Sequence, residues 1–164
     1  MGITYFYRVM DAETPTLESR LKSKPITNPH MRAFLSLMIT GAWLQGRMNG
    51  MLKPFGLTEP QYNVLRILRG QGGAAMNLYE IGDRMVYPTS NVSRIVDKLL
   101  LKAYVVRVAC EANRRRVDIS ITKSGLDLLD ELQPVFDANF EAFVTRLSAD
   151  EASRMSSSLE QLWD

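Results

Sequence analysis

Two groups of side chains in this 164-residue sequence have chemistry that can be named at once. One is a run of short polar residues ending in cations: Thr89, Ser90, Asn91, Ser93, Arg94 and Lys98. The other is three consecutive arginines, Arg114, Arg115 and Arg116. Arginine pairs bidentately with guanine and asparagine with adenine, whereas serine and threonine serve bases or phosphates. Three adjacent guanidinium groups repel one another, and a polyanion relieves that repulsion. Both groups therefore suit double-stranded DNA. Bond-making chemistry lacks its parts, because the chain holds one His, His30, and one Cys, Cys110. There is no Ser/His/Asp set and no paired carboxylates on a defined cleft. Gly70-Gln71-Gly72-Gly73 lacks the strand and helix spacing of a dinucleotide fingerprint. No catalytic residue, metal site or cofactor is expected.

These residues must be held by elements, and the apolar spacing supplies them. Residues 1–27, punctuated by Pro15 and Pro25, form an extended arm with at most a short helix near Leu17. Residues 28–53 are helical, with Phe34, Leu35, Leu37, Met38, Ile39, Trp43 and Leu44 all round the wheel, so a second subunit is expected to cover one side. Thr58 and Gln61 frame a capping box for the next helix, and Asn77 and Glu80 do the same for a third helix of about nine residues. After Tyr87-Pro88 a fourth helix begins near Thr89 or Ser90. It turns Val92, Ile95, Val96, Leu99 and Leu100 inward, and Ser90, Asn91, Ser93, Arg94 and Lys98 outward.

From Tyr104 the period changes to two. Strands over 104–108 and 117–121 enclose a polar tip over 111–116, and Thr122 caps a long helix, to about Leu147, that Pro134 is expected to kink. Ser148 and Glu151 open the last helix. A short helix followed by a polar and basic helix is the pattern of a helix-turn-helix, and the arginine-tipped hairpin adds a wing. The fold class is thus mainly α with a small β-hairpin: a winged helix-turn-helix over residues 57–123, with a helical dimerisation region formed by 28–56 and 124–164.

Charge follows this division. Residues 61–123 carry 11 Lys/Arg against 5 Asp/Glu, net +6, and residues 124–164 carry 2 against 9, net −7. A basic module inside a balanced chain is the footprint of a polyanion binder. The lack of a long apolar run and of a basic leader, and the single cysteine, suggest a cytoplasmic protein without a membrane partner. Cys110 is expected to be an inert strand cysteine, although Arg107 stands near enough in sequence to lower a thiol pKa. Met31, Phe34, Trp43, Met48, Met51, Phe55, Tyr62 and Tyr79 are expected as core and interface material, some of them lining an effector cleft.

The stretch from Leu57-Thr58-Glu59-Pro60-Gln61-Tyr62-Asn63-Val64-Leu65, through Ser93-Arg94-Ile95-Val96-Asp97-Lys98-Leu99 and Asn113-Arg114-Arg115-Arg116-Val117, to Ile121-Thr122-Lys123-Ser124-Gly125 resembles the MarR family of bacterial transcriptional regulators. The resemblance runs in order over roughly residues 30–145. It implies a homodimer with interdigitating first and last helices, palindromic operator DNA, and a small aromatic or anionic effector that weakens DNA binding. It also places Arg115 on the arginine that enters the minor groove, and the basic wing itself suggests Arg114 and Arg116 as phosphate contacts. The family's Asp-x-Arg reads Asn113-Arg114-Arg115 here, so the aspartate's charge is missing. The function expected is that of a sequence-specific transcriptional regulator, with repression the expected sign. The alternative is a winged helix that binds protein or RNA.

Overall fold

The computed structural model describes residues 15–110 and 113–163, with the backbone alone at 110, 113–116 and 142. The boundary between two compact units falls between Met48 and Asn49.

In the first unit, α1 (Leu17–Leu21) starts beneath Thr16, whose hydroxyl accepts from the Ser19 N–H at 3.2 Å. The Asn28 side chain accepts from the His30 and Met31 N–H groups at 2.9 and 3.1 Å and so starts α2 (Pro29–Leu52). Pro29, in the first turn, has no N–H to leave unsatisfied. The Arg32 guanidinium donates to the Glu18 carboxylate and holds its pKa below the ordinary range. A depressed carboxylate pKa means that this clasp is present at neutral pH and is released as the pH falls through the lowered value. Met31, Phe34, Leu37, Met38, Trp43 and Leu44 are between 38% and 58% exposed, as expected of a helix that is apolar on every side.

The second unit takes the last turn of α2 from Asn49 and then a 3₁₀ turn, Lys53–Phe55, that closes on Gly56 at φ 65°. The Thr58 N–H donates to Gln61 Oε1 at 3.0 Å at the head of α3 (Glu59–Gly70). Gly72 and Gly73, at φ 62° and 99°, turn the chain away beyond its end. Asn77 and Glu80 exchange hydrogen bonds of 3.0 and 2.9 Å to start α4 (Leu78–Asp83). Then come α5 (Val92–Leu101), the antiparallel strands β1 (Val105–Cys110) and β2 (Asn113–Ile121), α6 (Lys123–Val144), within which Pro134 lies, and α7 (Ala149–Glu160). Among the described residues no helix is long and apolar enough to cross a membrane.

Helix α5 ends in a Schellman motif. The Tyr104 N–H donates to the Leu99 carbonyl at 3.1 Å and the Ala103 N–H to the Leu100 carbonyl at 2.9 Å, with Ala103 left-handed at φ 57°. The core beneath consists of Val64, Leu65 and Leu68 from α3, Ile81 from α4, Val92, Val96 and Leu99 from α5, Val105 and Ile119 from the hairpin, and Leu128, Leu129 and Leu132 from α6. Each such aliphatic side chain stabilises the fold by about 1.5–3 kcal/mol relative to exposure.

Four sequence expectations shift. Helix α5 begins at Val92 rather than near Thr89, because the Thr89 hydroxyl accepts from the Asn91 N–H at 3.1 Å and holds Thr89, Ser90 and Asn91 in a turn. Such local side-chain bonds compete with helix formation. Helix α4 spans six residues, not nine. The backbone of residues 113–116 belongs to β2 instead of a loop. Tyr79 is 81% exposed and is not core material, since Leu78 and Ile81 take the inward positions of α4.

The Thr-x-x-Gly start of α6 has a steric reason. The Thr122 hydroxyl accepts from the Gly125 N–H at 3.1 Å and donates to the Ala103 carbonyl at 2.7 Å. This brings Gly125 so close to the hairpin that a Cβ there would overlap the Tyr104 carbonyl oxygen and sit 2.8 Å from Ile121 Cγ1. Gly125→Ala should therefore destabilise the protein by about 1–3 kcal/mol, read as a lowered midpoint at unchanged slope in urea unfolding.

Candidate nucleic-acid interface

Helix α5 buries Val92, Val96 and Leu99 and turns its other side to solvent. Ser90, Asn91, Ser93, Arg94 and Lys98 are exposed and Thr89 is half-buried, and Thr89, Ser90 and Ser93 line one open hollow. Arg94 and Lys98 lie one turn apart on the helix, and among the described residues neither forms an ion pair. Ser90 and Asn91 stand just ahead of the first turn, where HTH proteins contact base edges.

The hairpin is fixed beside this helix by two contacts. Met76 and Ile119 exchange backbone hydrogen bonds of 2.9 and 2.7 Å, which join the segment before α4 to β2. Arg107 on β1 donates to Asp97 on α5 at 2.7 Å. Both of those side chains are more than half exposed, so the pair adds little stability but does fix a direction. With its guanidinium on Asp97, Arg107 is engaged with α5; the side chain of Cys110 lies outside the described residues.

Along the ladder Val105 faces Ile121, and the pairing is regular to Ala109, which faces Val117; Cys110 then faces Asn113. The three residues skipped on β2 are Arg114, Arg115 and Arg116. The backbone thus bulges at the arginines, and an irregularity of this kind re-aims side chains out of the ladder. The side chains of Asn113, Arg114, Arg115 and Arg116 lie outside the described residues.

One residue escaped the sequence reading. Asn63, half-buried on α3, accepts at Oδ1 from the Val86 N–H at 2.9 Å and so ties down the turn between α4 and α5 from 23 residues away. An asparagine among the apolar positions of α3 was the only available signal, and nothing local shows what it would hold.

A short helix, a tight turn, an exposed polar helix and a hairpin anchored beside it define a winged helix-turn-helix. The family model described as MarR family matches residues 55–116. The HTH-type transcriptional regulator MhqR of Bacillus subtilis is 26% identical over 137 residues, covering 84% of this chain and 93% of that protein. A MarR transcription factor from Planctomyces limnophilus is 28% identical with a TM-score of 0.63, covering 84% of this chain and 99% of the solved one. The fold is also shared with the S. aureus MepR–DNA complex, at a TM-score of 0.72 and 19% identity, over 82% and 96% of the two chains. Over residues 55–116 the chain thus matches the MarR family of transcriptional regulators, and over most of its length it is similar to winged helix-turn-helix regulators of that kind.

Removing the Asn63 carboxamide should loosen the turn that presents Ser90 and Asn91. Asn63→Ala is expected to speed amide exchange at Val86 and weaken DNA binding several-fold, whereas Asn63→Asp, which keeps the acceptor, should retain parental exchange.

Proposed function

We propose that the chain binds palindromic operator DNA as a homodimer and acts as a cytoplasmic repressor without enzymatic activity. The observation that carries this is the outward face of α5, with Ser90, Asn91, Ser93, Arg94 and Lys98 exposed and both cations without an ion pair among the described residues, on a fold shared with a protein solved on DNA. In this arrangement α5 enters the major groove, where Arg94 reads a base bidentately, Asn91, Ser90 and Ser93 contact base edges, Thr89 holds the entry turn and Lys98 takes a phosphate. The hairpin follows the backbone, with Arg115 in the minor groove and Arg114 and Arg116 on phosphates, since a narrow minor groove concentrates negative potential. A small aromatic or anionic effector that weakens DNA binding completes the proposal, supported by the resemblance to MarR regulators alone.

Dimerisation through 28–56 and 124–164 is supported by apolar surface in both regions. On α2 it is the six exposed side chains named above, and at the carboxy-terminal end it includes Phe140 at 66%, Val144 at 51% and Trp163 at 75% exposure. Isologous pairing would set two copies of α5 about one DNA turn, roughly 34 Å, apart. Sedimentation at micromolar concentration should give twice the 18.6 kDa chain mass. A stable species at the chain mass removes the dimer from the proposal.

The DNA-binding test uses an operator selected from random duplexes. Replacing Arg114, Arg115 and Arg116 together by Ala should flatten the salt dependence of log K by roughly 0.9 per lost phosphate contact. In the same assay Arg94→Ala should cost about 1–3 kcal/mol and relax preference at one position per half-site. Parental affinity and salt slope in the triple variant would assign the hairpin to protein binding instead.

A further inference from the structure

On the rim shared by α4 and α5 is a side chain with no structural task. Tyr79 is 81% exposed, and among the described residues its phenol has no hydrogen-bond partner. The helix that carries it is fixed on both sides of it. Asn77 and Glu80 lock the start by mutual hydrogen bonds, and Ile81 is fully buried. Tyr79 therefore projects from a rigid place.

The neighbourhood suggests what it meets. Tyr79 lines an open hollow of about 620 Å³ together with Thr89, Ser90 and Ser93, and the floor includes Leu78 and Val92. The hydroxyl-bearing residues of the α5 face thus continue onto α4 through Tyr79. When the second helix of a helix-turn-helix occupies the major groove, the first crosses the sugar-phosphate backbone. A group on the exposed rim of α4 faces a phosphate and its deoxyribose rather than a base edge. Asp83 also lines the hollow, four residues further along α4, and would repel a phosphate close to it. A tyrosine side chain is several atoms longer than an aspartate's, so its phenol oxygen reaches further from the helix than that carboxylate.

We propose that Tyr79 is a DNA-backbone contact, its phenol donating a hydrogen bond to a phosphate oxygen and its ring lying against the adjoining deoxyribose. This rests on the DNA-binding reading above and adds to it a contact of a different electrostatic kind. The phenol is uncharged. It neutralises no phosphate and releases no counterion, so its contribution is independent of salt, in contrast to Lys98 or the arginines. It reads no base, so it is also independent of sequence.

The test titrates the full chain against its selected operator and a random duplex of equal length, at several salt concentrations, with Tyr79→Phe, Tyr79→Ala and Lys98→Ala in parallel. Tyr79→Phe should weaken binding to both duplexes by the same factor, about 3- to 10-fold, with the salt slope unchanged. Tyr79→Ala should weaken it further through loss of the ring. Lys98→Ala should lower the slope by roughly 0.9. Because the side chain is exposed, the melting curves of both Tyr79 variants should match the parent; if Tyr79→Ala does not fold, Tyr79→Phe decides alone. Parental affinity in the folded Tyr79 variants overturns the proposal, and so does a loss confined to the operator or accompanied by a change of slope. A parent protein that binds neither duplex instead overturns the DNA-binding reading itself.

Discussion

Two backbone hydrogen bonds between Met76 and Ile119 decide how this lobe presents its charges. A two-stranded hairpin is marginal in water by itself and has no preferred direction relative to a helix. Here the segment before α4 adds a bridge to β2, and both bridging side chains are buried, at 3% and 2% exposure. The hairpin thereby becomes part of the same packed body as α3, α4 and α5. Breaking the bridge would leave two buried N–H groups without partners, which is costly enough to keep it closed. The direction of the arginine-bearing backbone relative to α5 follows from that pair, refined at the surface by Arg107 and Asp97.

Beyond this bridge, work is divided between apolar and charged contacts. Stability lies in the aliphatic side chains of the core, whereas the ion pairs named here are surface pairs. Arg69 with Asp130, Lys123 with Asp127 and Arg154 with Asp150 each leave at least one partner well over half exposed, so each is worth under about 1 kcal/mol. Several of these carboxylates belong to the acidic carboxy-terminal stretch. Among the described residues Arg94 and Lys98 on α5 form no ion pair. A charge without an internal partner keeps its full interaction available for an external one.

The parts of this architecture that depend on local chemistry were legible in the sequence. Thr58 with Gln61, Asn77 with Glu80 and Ser148 with Glu151 announce helix starts through their own side chains, and all three boxes form. The inward face of α5 follows from spacing alone. What was illegible depends on distant partners or on competition between local options. Helix α5 starts later than its spacing predicts because Thr89 favours a turn over a helical position, and propensity alone does not rank the two. Residue type predicts Tyr79 as core or interface material, whereas Leu78 and Ile81 already fill the inward face of so short a helix. The Met76–Ile119 bridge and the Asn63–Val86 bond join segments 43 and 23 residues apart, and no periodicity carries that information.

The handover from α5 to the hairpin carries a trace of how such a sequence can drift. Ala103 holds a left-handed conformation, where its methyl group crowds the following carbonyl at a cost of about 1–2 kcal/mol. Glycine would be unstrained there but would make the unfolded chain more disordered, which offsets part of the gain. The two residues therefore differ by only about 1 kcal/mol in net stability, glycine being the more stable, while differing in stiffness. Selection can tune the rigidity of the junction between helix and wing by exchanging one methyl group, with little change in the fraction of molecules that are folded.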